Sequence, residues 1–155
     1  MNLDFSIALH VVGYLTARAG KPLTSEALAE TYGTSPVVVR RVLSKLNKAG
    51  LVASRPGSGG GSILACPPHE INLRQVYQAT NSTGELLKRP PENGGPVTEV
   101  MSHYLDDLFA DAEEHLLKRL EQVTVAGMDA TVRPKLCRLL AERKIPLKFD
   151  SDLTL

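Results

Sequence analysis

The side chains of this chain best suited to chemistry are cations. Arg40, Arg41, Lys45, Lys48 and Arg55 lie close together in sequence, and no acid occurs anywhere from Thr31 to His69. Arginine offers a planar fork of N–H donors that pairs bidentately with guanine or phosphate, whereas lysine is a compact charge suited to phosphate. Residues 1–68 carry seven bases and three acids, and residues 69–155 eleven bases and fourteen acids, although the whole chain nets only +1. A basic segment on an otherwise acidic chain points to an anionic partner for that segment.

Other chemistries have less to work with. The two cysteines, Cys66 and Cys137, are far apart in sequence and form neither a disulfide framework nor a zinc motif. The glycines of Gly57–Gly61 lack the strand-loop-helix setting and the lysine of a phosphate-binding loop. No nucleophile motif is present, so the sequence does not read as an enzyme. No apolar run approaches the ~20 residues that span a bilayer. The amino terminus lacks a basic start and a small-residue cleavage site, so a cytoplasmic location is expected, with no membrane partner.

The elements that must position these cations follow from periodicity and punctuation. Phe5–Arg18 has the broad apolar face of a helix, closed by Gly20-Lys21-Pro22. Thr24 is an N-cap candidate for a short second helix that buries Ala27, Leu28 and Tyr32. Gly33-Thr34 forms a turn, Ser35 caps a third helix, and Pro36 takes its first position. That helix runs to about Ala49 and buries Val39, Val42, Leu43 and Leu46, so Ser35, Val37, Arg40, Arg41 and Ser44 project away from the core. Leu51–Arg55 and Ser62–Cys66 read as two strands joined by a glycine-rich tip containing Ser58 and Gly59. Asn72, with Gln75 three residues on, opens another helix with a capping box. After a Gly/Pro/Asn-rich loop, Asn81–Pro96, an amphipathic helix spans about Val97–Val123, with Val100, Met101, Tyr104, Leu105, Leu108, Phe109 and Leu116 on its apolar stripe. One further helix is expected at about Thr131–Arg143; Ile145–Leu155 carries no assignable pattern.

Three helices and a β-ribbon within about 65 residues make a winged helix-turn-helix, in which the third helix is held at an angle that lets it enter a major groove about 12 Å wide. The fold class expected is therefore mainly α with a small β-hairpin wing, followed by a long dimerisation helix. The units expected are a DNA-binding domain at 1–68, a connecting helix and loop at 69–96, the dimerisation helix at 97–127 and a tail at 128–155. The third helix and the wing would supply the DNA contacts: Ser35, Val37, Arg40, Arg41 and Ser44, with Lys45 and Lys48 on phosphates, and Arg55, Ser58 and Gly59 from the wing. Winged domains also dock onto proteins without reading DNA, which is the competing function.

Ser35–Gly61, and above all Lys48-Ala49-Gly50-Leu51-Val52-Ala53-Ser54-Arg55-Pro56-Gly57-Ser58-Gly59-Gly60, resembles the Rrf-type regulators, whose members include the IscR, NsrR and CymR repressors. The resemblance covers roughly residues 1–125. It implies a homodimer on a palindromic operator, probing double-stranded DNA as a repressor, with the long helix crossing its partner. Ser62 stands where the family often has an aromatic residue, and Asp4-Phe5-Ser6-Ile7-Ala8 departs from the usual start of the first helix.

Iron–sulfur members of that family hold their cluster through three cysteines in the loop before the long helix. Asn81–Pro96 contains none, and His103 alone holds no cluster, so no cofactor or metal is expected. Cys66 is a candidate redox thiol, with a small buried side chain as the favoured alternative. A small effector between the winged part and the long helix is compatible with the sequence, which names none.

Overall fold

The computed structural model describes residues 3–18, 20–81 and 95–143. Six helices and one hairpin follow in the order α1 (Leu3–Ala17), α2 (Ser25–Tyr32), α3 (Pro36–Lys48), β1 (Val52–Arg55), β2 (Gly61–Leu64), α4 (Leu73–Thr80), α5 (Pro96–Glu121) and α6 (Val125–Arg143). The expected loop falls almost wholly in 82–94, and the Ile145–Leu155 tail in 144–155; both lie outside the described residues.

The helix starts form as the cap chemistry dictates. Thr24 Oγ1 accepts from the Ala27 amide at 3.2 Å and Ser35 Oγ from the Val38 amide at 3.5 Å, each satisfying an amide left over in the first turn. At α4, Asn72 and Gln75 exchange side-chain and backbone bonds of 2.9 and 2.8 Å, closing the capping box. Gly33 ends α2 at a φ of 77°, where a residue with a Cβ would be strained.

One core unites the winged part. Ile7, Ala8, Val11, Val12 and Leu15 of α1 pack with Leu28 and Ala29 of α2, Val39, Val42 and Leu46 of α3, and Val76 of α4. This burial overrides the weak helix propensity of Val37-Val38-Val39. On α2 the inward alanine is Ala29, while Ala27 is exposed.

The wing is an antiparallel hairpin pairing Val52 with Leu64 through Arg55 with Gly61. A third segment anchors it. Leu23, between α1 and α2, exchanges backbone bonds of 3.0 and 2.8 Å with Ser62, which is buried. The second strand thus ends at Leu64 rather than Cys66, although the Ala65 amide still donates to the Leu51 carbonyl at 3.0 Å.

The last helix starts at Val125, six residues before the expected Thr131. Thr124 Oγ1 accepts from the Gly127 amide at 3.1 Å and caps it, so Gly127 lies inside a first turn and does not end the preceding helix. The α5–α6 turn is stitched to the start of α4: the Leu73 amide donates to Val123, and the Val125 amide to Ile71, both at 2.8 Å. An ion pair of 2.7 Å between Arg74 and Glu121 lies beside this seam. Among the described residues, no helix is long and apolar enough to cross a membrane.

Candidate nucleic-acid interface

The basic residues of α3 divide into two rows. Arg40, Ser44 and Asn47 line a groove of about 630 Å³ together with Ser54, Arg55, Gly57, Gly60 and Gly61 of the wing and Thr24, Ser25 and Glu26 at the start of α2. Arg40 and Arg55 therefore lie on one face. The other row, Arg41 and Lys45 one turn apart, meets α1: Arg41 Nη2 donates to Asp4 Oδ1 at 2.5 Å, and Lys45 Nζ to Asp4 Oδ2 at 2.8 Å.

Acids from outside the acid-free span thus pair with three of its cations. Arg40 pairs with Glu26, both about 58% exposed, and its Nε donates to Ser25 Oγ at 3.1 Å. Glu26's own backbone amide, then Arg40, hold its carboxyl below the usual carboxylate range. Asp4 is buried. Burial alone would push its carboxyl up, but the bonds and charges of Lys45 and Arg41 outweigh this and hold it low. Lys45 makes a second bond, to the Thr80 carbonyl at 3.2 Å, at the last turn of α4. The side chain expected on a phosphate is therefore bonded on two sides within its own chain. Among the described residues, Lys48 and Arg55 have no ion-pair partner, and both are exposed.

Ser35 and Val37 stand exposed at the start of α3, Val37 at 70%. Ser44 is exposed on the groove side. Ser58 and Gly59 are exposed at the wing tip, where Gly57 and Gly59 take positive φ. His10, on α1, packs against the rings of Tyr14 and Tyr32 and bonds Thr31 Oγ1 at 3.0 Å. Burial pushes its imidazole pKa down and favours the neutral ring.

On α5 the apolar stripe has no buried side chain. Val100, Met101, Tyr104 and Leu108 are exposed, while Leu105, Phe109 and Leu116 are half-buried. Cys66 is exposed just past β2, with Sγ 3.9 Å from the Gly50 carbonyl oxygen, which corrects the expectation of a buried side chain; Cys137 is half-buried in α6. His103 is exposed. Sequence reading had no means of finding Asp4 and Glu26 as parts of this surface, because each reaches α3 through tertiary packing; Asn47, three residues past Ser44 on the same face of α3, was legible from helical spacing but was not singled out.

Comparison with known proteins gives a consistent picture. Residues 1–130 match a family model described as Rrf2, iron-dependent transcriptional regulator. The chain is 31% identical over 122 residues to YwnA of Bacillus subtilis, described as an HTH-type transcriptional regulator, covering 77% of this chain and 90% of that one. A transcriptional regulator from Lactobacillus plantarum superposes with a TM-score of 0.70 at 30% identity, covering 93% of this chain and 99% of that one. CymR of B. subtilis shares the fold, with a TM-score of 0.65 at 19% identity over 84% of this chain and 96% of its own. Iron–sulfur clusters are held by thiolates, and the two thiols here sit on separate elements. Among the described residues, no group of three or more His, Cys, Asp or Glu could hold a metal ion.

Proposed function

The chain belongs to the Rrf2 family of DNA-binding transcription regulators, and from that premise we propose that it acts as a homodimeric repressor on a palindromic operator, inserting the first half of α3 into the major groove. The observation that carries this reading is the shared face of α3 and the wing, with Arg40, Ser44 and Asn47 opposite Ser54 and Arg55 across one groove. In this reading Val37 offers an apolar contact for a thymine methyl, and the arginines serve guanine or phosphate. Lys48 and Arg55 serve phosphates. Ser35, Ser58 and Gly59 bring hydroxyl and backbone donors to the sugar-phosphate wall.

A twofold dimer built through α5 would set two such faces on one side of a duplex, about one helical turn apart. The uncovered stripe of Val100, Met101, Tyr104 and Leu108 supports that arrangement. Regulation would proceed without an iron–sulfur cluster, in the cytoplasm, through a signal the residues do not name.

The test is to select duplexes from a random pool and measure binding from low to high salt. The affinity should fall steeply with salt, and Lys48→Ala or Arg55→Ala should each lower the log–log slope by about 1 while weakening all sequences alike. Absence of duplex binding even at low salt would transfer the winged face to a protein partner.

A further inference from the structure

Two adjacent arginines on α3 are held in different ways. Arg40 meets Glu26 in an open, water-exposed pair, which exchanges readily for a phosphate. Arg41 meets a carboxylate only 10% exposed, while its own side chain remains 57% exposed. The Asp4 carboxylate divides its oxygens, one to Arg41 and one to Lys45. Lys45 alone, fixed between Asp4 and the Thr80 carbonyl, already ties α1, α3 and α4 together. The Arg41 bond therefore adds little to the joint between helices; what it does is restrict the guanidinium. A guanidinium has five N–H donors, and a bond through one Nη leaves others for a partner. The acid itself is sheltered from solvent, so it orients the cation without offering DNA an exposed negative charge.

We infer that Asp4 is a specificity-determining positioning residue: it holds the exposed Arg41 guanidinium in one orientation on the α1 side of α3, beside the groove face, so that Arg41 discriminates between bases rather than adding general affinity. This rests on the reading of α3 as the helix that enters the groove. A free arginine samples many rotamers and finds a phosphate on any sequence; a fixed planar fork pays its ordering cost in advance and fits only the base edge it faces.

The experiment uses the full chain, a duplex selected by the wild type from a random pool, and a scrambled duplex of the same length. Asp4→Asn keeps the shape and removes the charge. It should bind the scrambled duplex more tightly, with a salt slope steeper by about 1 because a cation has been released. It should also bind the selected duplex less well, so that the ratio of the two affinities falls about tenfold, the scale of one good base contact. Arg41→Lys keeps the charge but loses the fork, and should lower the same ratio to a similar extent. Because that variant leaves Asp4 intact, it decides the matter even where Asp4→Asn folds poorly. An unchanged ratio in Arg41→Lys overturns the inference, as does a parallel change on both duplexes in a folded Asp4→Asn. If the wild type selects no duplex, the DNA reading itself falls, a result distinct from either.

Discussion

Leu108→Asp gives the sharpest test of the assembly. Leu108 is 48% exposed, so about half of its side chain remains to be covered by a partner. Full burial of a leucine contributes ~1.5–3 kcal/mol, so the uncovered half is worth about 1 kcal/mol. An aspartate in its place leaves a desolvated acceptor, which costs at least ~1 kcal/mol more. Twofold symmetry applies both effects twice, giving a penalty of about 4 kcal/mol or more. At ~1.4 kcal/mol per decade, the dimer constant should weaken about a thousandfold. Sedimentation velocity over a concentration series reads this directly, with circular dichroism to confirm that the helices persist. Leu105 is a poorer choice, because it is half-buried within its own chain and its loss would also loosen the monomer. A Leu108→Asp protein whose dimer constant stays within tenfold of the wild type would refute the placement of the interface on α5.

Two other expectations concern the winged part. At Gly61, φ is +151° and an added Cβ would lie 2.6 Å from the Leu23 carbonyl oxygen, so Gly61→Ala should break the Leu23–Ser62 pairing. Gel-shift affinity should drop while far-ultraviolet dichroism barely changes; unaltered binding would show that the anchored wing is dispensable. The Asp4 carboxyl titrates lower in the folded chain than in the unfolded one, despite the upward push of burial, because Lys45 and Arg41 stabilise its charge. Its stabilisation is then complete above about pH 4 and is lost as pH falls through the folded value. Urea midpoints followed down to pH 3 should show the wild type losing its advantage over Asp4→Asn, and a gap that persists in acid would contradict the pairing.

What the sequence revealed tracks how local each interaction is. Thr24, Ser35 and the Asn72–Gln75 box act over three residues, so their types and spacing alone disclosed three helix starts. The stripes of α1 and α3 were equally plain, since a period of 3.6 is written into the chain. The start of α6 was hidden by Gly127, a residue that ends helices more often than it enters them, although Thr124 three residues before it was a visible cap. The Leu23–Ser62 bridge joins single residues 39 apart by backbone bonds, so no side-chain type signals it. The acids that pair with α3 were beyond reach for the same reason: Asp4 lies 37 positions from Arg41, and Glu26 lies 14 from Arg40.

Those long-range acids change how the winged face works as a charged surface. Five cations in an acid-free span imply a uniformly positive helix and wing, whose attraction to DNA would be nearly blind to sequence. Once folded, the chain sets Glu26 against Arg40 and Asp4 against Arg41 and Lys45, leaving Lys48 at the end of α3 and Arg55 on the wing as cations without ion-pair partners among the described residues. Unpaired charge thus lies at the end of α3 and on the wing, the places the proposed reading gives to the duplex backbone, and paired charge at the middle of α3. An arginine whose acid is sheltered, as that of Arg41 is, must give up or share that acid when it meets a phosphate, so its net gain on non-specific DNA is small. It gains fully only where a base edge satisfies donors that the acid leaves unused. In the proposed DNA reading, Asp4 therefore weakens the general attraction of α3 without weakening the contact that tells one sequence from another.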